Sequence, residues 1–162
     1  KTIDFKKGDF MKLSPSTKFD SIVCIGVIEN IPVAPQNFIE KISSFSHKGT
    51  QIFLSTSNDK SILASLARWS FRLGFKEPAK VVYDRGHAHH FHPSSLTKVL
   101  EKYDFHVEKV FLHNRPLSSV DLGPHLLRRI ILKPLIAFIF LLGSLTGKTH
   151  IQTILATKKS AS

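Results

Sequence analysis

The chain has 162 residues, 42% of them hydrophobic, which suits one domain (1–162) with a real core. Eight Gly and eight Pro exclude a collagen-like or low-complexity chain. The single Cys24 excludes a disulfide framework and any Cys-based zinc site, and it suggests a reducing, cytoplasmic setting. The net charge of +11 is lopsided: residues 1–60 carry 8 basic and 6 acidic side chains, residues 61–162 carry 15 and 6. A basic excess in the later part admits contact with a polyanion or an anionic membrane, although surface charge also serves solubility alone. The opening Lys1-Thr2-Ile3-Asp4-Phe5, without Met or a signal-peptide pattern, reads as a stretch from inside a longer protein.

Thr2 to Phe5 predicts a short strand ending in the turn signal Lys7-Gly8-Asp9. Phe19 to Val27 is a near-continuous apolar run rich in Ile and Val, the pattern of a parallel strand covered on both faces. Pro32 and Pro35 break it, and Phe38, Ile39, Ile42 and Phe45 then share one helical face. Lys48-Gly49 closes that helix, and Thr50 to Thr56 is the next buried strand, which completes a βαβ unit. Asn58 or Asp59 is placed to cap a second helix carrying Ile62, Leu63, Leu66, Trp69 and Leu73, with Gly74 at its end.

Residues 75–93 read as a loop with irregular aromatics. Ser94 and Ser95 offer the next cap, before Leu96, Val99, Leu100 and Tyr103 on one stripe. Phe105 to His113 alternates as a strand, with Phe105, Val107 and Lys109 on one face and His106, Glu108 and Val110 on the other. Leu126 to Leu145 is strongly apolar, and Thr149 to Thr157 is a last strand before a polar tail. There is no internal repeat. Alternating strands and helices with buried strands predict an α/β fold with a mainly parallel sheet.

Three segments carry a resemblance. Gly8-Asp9-Phe10 follows a short strand. Phe19-Asp20 opens an apolar strand that runs into Val27-Ile28-Glu29-Asn30-Ile31. Lys48-Gly49-Thr50 opens another that ends Ser55-Thr56-Ser57-Asn58. A fourth, His89-His90-Phe91-His92-Pro93-Ser94-Ser95-Leu96, stands before a helix. In this order and spacing they resemble the class I S-adenosylmethionine (SAM)-dependent methyltransferases, especially the small-molecule branch similar to ubiquinone-biosynthesis methyltransferases. The resemblance covers most of residues 2–113 and, weakly, the last strand.

The resemblance implies a Rossmann-like methyltransferase fold with a C-terminal antiparallel strand pair, SAM as cofactor and a small, apolar methyl acceptor. It further implies that Asp9 accepts a hydrogen bond from the adenine amino group and that Phe10 flanks the adenine. A carboxylate at a strand's C-terminal end lies at the ligand crevice of an open α/β sheet, whereas the plain alternative for Asp9 is a turn residue. Cys24, Ile25 and Gly26 would approach the sulfonium and its methyl. The family's Gly-rich loop after the first strand and its ribose-holding acid are both absent. The fold expected is therefore N-terminally truncated, beginning at the third strand and lacking the neighbour of its fourth. By itself such a chain should bind SAM poorly. Asn30 stands where the family has His, which leaves no acid–base role at that position. Alignment of substrate and sulfonium suffices in many members.

Asp84-Arg85-Gly86-His87-Ala88-His89-His90-Phe91-His92 holds four His in six residues. Two-ligand metal clips are conceivable there, with Asp84 or His106 as a third ligand, but the spacing matches no established zinc signature, so no metal is expected. The alternatives are a packing or solvated loop and a set of pocket histidines. In the related family this region lies over the active site, which makes His87, His89 and His90 the catalytic candidates.

Residues 130–145 form an apolar stretch broken by Lys133 and Pro134, shorter than the roughly 20 residues a spanning helix needs. Arg128, Arg129 and Lys133 before it and Lys148 after it suit a helical insertion (126–148) lying on an anionic leaflet, which would make the protein peripheral at a membrane. The other reading is a cover helix packed on the sheet or on a homodimer partner. Arg68 and Arg72 stand at i, i+4 without aromatic interleaving of the nucleic-acid-binding kind, so a nucleic-acid partner is not expected. The leading expectation is a SAM-dependent methyltransferase. A non-catalytic α/β module that binds a membrane through 126–148 is the alternative, and a nucleotide-sugar or dinucleotide enzyme is weaker for want of a phosphate-cradling Gly loop.

Overall fold

The computed structural model describes residues 3–83, 87–120 and 126–159. Four strands, β1 (Phe19–Ile25), β2 (Ser46–Ser57), β3 (Phe105–His113) and β4 (Ile151–Lys158), form one sheet in the order β1-β2-β4-β3. β1 and β2 run parallel, linked by α1 (Pro35–Ser44) as the βαβ reading requires. β4 is antiparallel to both β2 and β3, which supplies the expected C-terminal antiparallel pair and leaves β1 and β2 as the parallel pair of strands in this sheet.

Pro35, at the start of α1, presets the first helical φ. Phe38, Ile39 and Ile42 then fall on the face that meets the sheet. The helix ends at Ser44, and β2 runs through Lys48-Gly49, which therefore does not close the helix. Along β2, Thr50, Ile52, Leu54 and Thr56 alternate inward. α4 (Pro93–Lys102) brings Leu96 and Leu100 onto the same face beside Phe105, Ile154 and Ala156. Each such large apolar side chain contributes about 1.5–3 kcal/mol by burial, so this layer between α1, α4 and the sheet holds the fold.

Several local expectations are corrected. Residues 3–5 are exposed and form no strand, because none of the described strands lies beside them to pair with; Thr2 lies outside the described residues. The cap of α2 (Ile62–Arg72) is Ser61, whose Oγ accepts from Ala64 N at 3.1 Å, and neither Asn58 nor Asp59. α2 buries Ala64 and Ala67, while Leu66, Trp69 and Leu73 are exposed, because it packs on α3 and α5. α3 (Glu77–Val82) is a short helix inside the segment expected to be loop; Pro78 starts it, and six residues carry too little periodicity to reveal it. α4 is capped by His92 through Nδ1, with Ser95 returning the bond, so the serines lie inside the helix. A bulge between Val107 and Lys109 adds a residue to β3, which brings Phe105, Val107 and Val110 to the core together.

α5 (Leu126–Thr146) is continuous through Pro134. Its C-terminal half is seated by buried Phe140 and Gly143; a Cβ at Gly143 would stand 3.0 Å from the Lys148 carbonyl oxygen. Among the described residues, the sheet face opposite α1 and α4 is open over β1 and the adjoining part of β2. Val23, Ile25 and Phe53 lie on it in solvent, at 63%, 67% and 39% exposure.

Candidate active site

The site lies beyond the C-terminal ends of the parallel strands, where an open α/β sheet forms its ligand crevice. β1 leaves the sheet at Gly26, which adopts φ +65, a left-handed turn that glycine enters without a Cβ clash. Gly26 N donates to Ser55 O at 2.9 Å, and Gly26 O accepts from Asn30 Nδ2 at 2.8 Å. The turn delivers Glu29 to a buried position, where its Oε2 accepts from Thr56 Oγ1 at 2.7 Å.

The backbone of Glu29 also seats the histidine-rich segment. Its carbonyl accepts from Ala88 N at 2.7 Å and His89 N at 3.2 Å. Phe91 is buried, and its carbonyl accepts from Asp59 N at 2.8 Å and Gln152 Nε2 at 3.0 Å, which ties the segment to the ends of β2 and β4. His87, His89 and His90 are thereby held over the strand ends.

A second cluster adjoins them. Arg68 Nη1 donates to Asp59 Oδ1 at 2.8 Å and to the Tyr83 hydroxyl, and that hydroxyl donates to the same Asp59 oxygen at 3.0 Å. The Tyr83 ring stands edge-on to His90, centroids 4.8 Å apart. Asp59, Tyr83, His90 and His150 line a small cavity with Ser57 and Asn58. Partial burial lowers the His90 pKa below the usual histidine value, so its imidazole is neutral near pH 7 and able to accept a proton. Burial first, and the Asp59 hydrogen bond second, raise the Tyr83 pKa and keep its phenol protonated. His150 is held neutral more strongly: burial, with Arg115 and His87 nearby, pushes its pKa down to about 4.

The sequence candidates take different places in this frame. His90 faces the cavity, and the His87 ring is 6.3 Å from it with a buried, unpartnered Nδ1. His89 is spent on structure, its Nε2 lying 2.9 Å from Val33 O. Among the described residues no group of His, Cys, Asp and Glu could hold a metal ion; Asp84, the suggested third ligand, lies outside them. Cys24 packs toward the core, and burial pushes its thiol pKa up to about 11, so it is no nucleophile. Ile25 lies on the open face and Gly26 at the strand end.

Asp9 and Phe10 sit elsewhere. Asp9 is the N-cap of a short 3-10 turn (Phe10–Lys12), its Oδ1 accepting from Met11 N at 2.9 Å. The Phe10 ring stacks on Phe45 at 5.5 Å, and Phe45 in turn meets Phe19 at the beginning of β1. β1 is seven residues long, about 20 Å of strand, so this contact lies near the opposite end from Gly26. The structure thus gathers Gly26 and the histidines but does not bring Asp9 and Phe10 to them.

Sequence reasoning missed Glu29, Asp59, Arg68, Tyr83 and His150 as site residues. Glu29 had a usable signal, an acid at the end of an apolar strand. The others come together from positions 9 to 91 residues apart and carry no local pattern.

Comparison with known proteins agrees with the architecture. The model of a methyltransferase domain family matches residues 2–110. No curated protein sequence matches. Among solved structures, a SAM-dependent methyltransferase from Archaeoglobus fulgidus is similar at TM-score 0.57 and 20% identity, over 94% of this chain and 66% of that one. One from Methanosarcina mazei is similar at 0.59 and 15%, over 98% and 68%. The magnesium protoporphyrin IX methyltransferase of Synechocystis, with S-adenosylhomocysteine bound, is similar at 0.54 and 12%, over 94% and 49%. The chain thus spans about half to two thirds of the length of these proteins. The first two are SAM-dependent methyltransferases by description, and the likeness of all three to this chain is one of fold. The chain belongs to the methyltransferase-domain family and has the Rossmann-like fold of SAM-dependent methyltransferases.

Proposed function

We propose that this chain is the acceptor-side portion of a SAM-dependent methyltransferase acting on a small, apolar molecule. The carrying observation is the convergence of Glu29, His90 and the Asp59–Arg68–Tyr83 cluster beyond the ends of β1 and β2. SAM supplies an activated methyl group. The residues of this chain act on the other reactant. Neutral His90 accepts the proton of an acceptor hydroxyl or amine, and the hydrogen bonds of the Tyr83 hydroxyl with Asp59 and Arg68 fix the Tyr83 ring against the His90 imidazole. The apolar open face around Val23 and Phe53 and the free edge of β1 are where the element that completes the SAM site packs.

The natural full-length product, titrated with S-adenosylhomocysteine, tests this by thermal shift. Ligand at about 100 times its dissociation constant should add roughly 2.7 kcal/mol of stability. A saturable shift supports the reading; a folded protein without one overturns it. In the same assay, loss of the shift in Asp9→Ala would place that carboxylate at the adenine, and a retained shift would leave it as the cap of its turn. His90→Ala should keep the shift and lose methyl transfer by about 10²–10⁴-fold, the usual worth of a general base.

A further inference from the structure

We propose that α2, α3 and α5 form a docking face for an anionic lipid bilayer, with basic side chains at headgroup level and apolar ones dipping below. This stands apart from methyl transfer and needs neither a cofactor nor an acceptor.

Two apolar stripes carry it. Leu66, Trp69 and Leu73 stand at i, i+3 and i+7 on α2 and its C-cap, all exposed, Trp69 at 62%. Ile131, Leu135, Phe138 and Leu145 repeat the pattern along α5, equally bare. α2 packs against both α3 and α5, so the two stripes belong to one body of helices. No helix among the described residues is long and apolar enough to cross a membrane, which leaves an in-plane arrangement for stripes of this kind.

Charge decides the occupant. Between α2 and α3 a cleft of about 440 Å³ has Phe71 and Tyr83 in its wall and Arg68, Arg72, Lys76 and Lys80 around it. Arg68 is engaged with Asp59 and Lys80 with Glu77, whereas Arg72 and Lys76 have no ion-pair partner among the described residues. Glu77 is the one acid in residues 60–83, and residues 126–148 contain none. A second copy of the chain on this face would set these cations against one another. A lipid phosphate matches them, and Trp and Phe beside Lys and Arg are the residues that settle at a bilayer interface.

Trp69 is the one tryptophan of the chain, so its emission reports this face directly. The test adds the full 162-residue chain to large vesicles of phosphatidylcholine, alone or with one quarter phosphatidylglycerol, and follows Trp69 emission and co-sedimentation. With the anionic vesicles the emission should shift to the blue, brominated acyl chains should quench it, and protein should pellet. Neutral vesicles should recover much less. Arg72→Gln with Lys76→Gln should lower partitioning about fivefold for each cation removed. Leu73→Ser, at an exposed position, should weaken it without altering the fold.

Unchanged emission with anionic vesicles overturns the proposal. So does equal recovery on neutral and anionic vesicles, or a blue shift without lipid that grows with protein concentration, since that marks self-association.

Discussion

The two faces of the sheet are built from the same four strands yet live in different surroundings. One carries Ile52, Leu54, Ile154 and Ala156 under α1 and α4, all of them fully buried. The other carries Val23, Ile25 and Phe53 in solvent. A sheet meant to face water on one side alternates apolar with polar residues, as an antiparallel sheet commonly does. β1 does not: both its inward residues, Ile22 and Cys24, and its outward ones, Val23 and Ile25, are apolar or nearly so. Its composition is that of a strand covered twice, and the described residues cover it on one face. The asymmetry teaches that burial is unevenly divided between the two faces, with the sealed one holding the fold.

The largest test of that division is a truncation on the sealed face. Phe105 is almost fully buried at the start of β3, with Lys158 Nζ 5.0 Å from its ring. Phe105→Ala should cost about 3–5 kcal/mol, read from the urea midpoint at unchanged slope. A loss under 1 kcal/mol would mean that this face does not carry the fold.

Much of that sealed layer is legible in the sequence, because it depends on periodicity alone. Phe38, Ile39 and Ile42 recur at helical spacing, Ile52 and Leu54 alternate, and β3 falls on Phe105–His113 as read. What is not legible depends on events between segments. A single bulge inverts the inward face of β3 after Val107. α2 turns its alanines inward because its neighbours are α3 and α5. The site suffers most: Asp59, Arg68 and Tyr83 share one hydrogen-bonded cluster only because α2 and α3 fold together. Phe10, read as an adenine neighbour, packs its half-buried ring against Phe38 and Phe45, a contact between segments that no local pattern announces.

Acid should next weaken the junction between the sheet and α5. His150 stacks on Phe140 and is neutral when folded, with a pKa of about 4 against an ordinary 6.5. The unfolded chain takes up its proton first, so stability is complete above pH 6.5 and falls as pH drops toward 4. The loss amounts to about 3 kcal/mol for a shift of this size. His150→Phe should flatten the profile between pH 6.5 and 4 in chemical denaturation series. A wild-type profile already flat there would contradict the buried, neutral assignment.

Gly143 tests the same junction sterically. The Cβ of Gly143→Ala would meet the Lys148 carbonyl oxygen at 3.0 Å and backbone at Thr149. Because the obstacle is backbone, α5 has to shift, at about 1–3 kcal/mol. An unchanged melting temperature would show α5 free to move off the Lys148–Thr149 backbone.

The smallest expected effect lies on the open face, and it is the most discriminating. Val23→Thr keeps shape and β-branching while placing a hydroxyl where water already reaches, so it should change stability by less than about 0.5 kcal/mol. The same exchange at a sealed position would bury an unpaired hydroxyl at about 1–3 kcal/mol. A cost in that higher range for Val23→Thr would mean that the open face is covered in solution. Its dependence on protein concentration would then separate the two covers: a cost that fades on dilution comes from a second copy, and one that persists comes from the chain's own segments folding over β1.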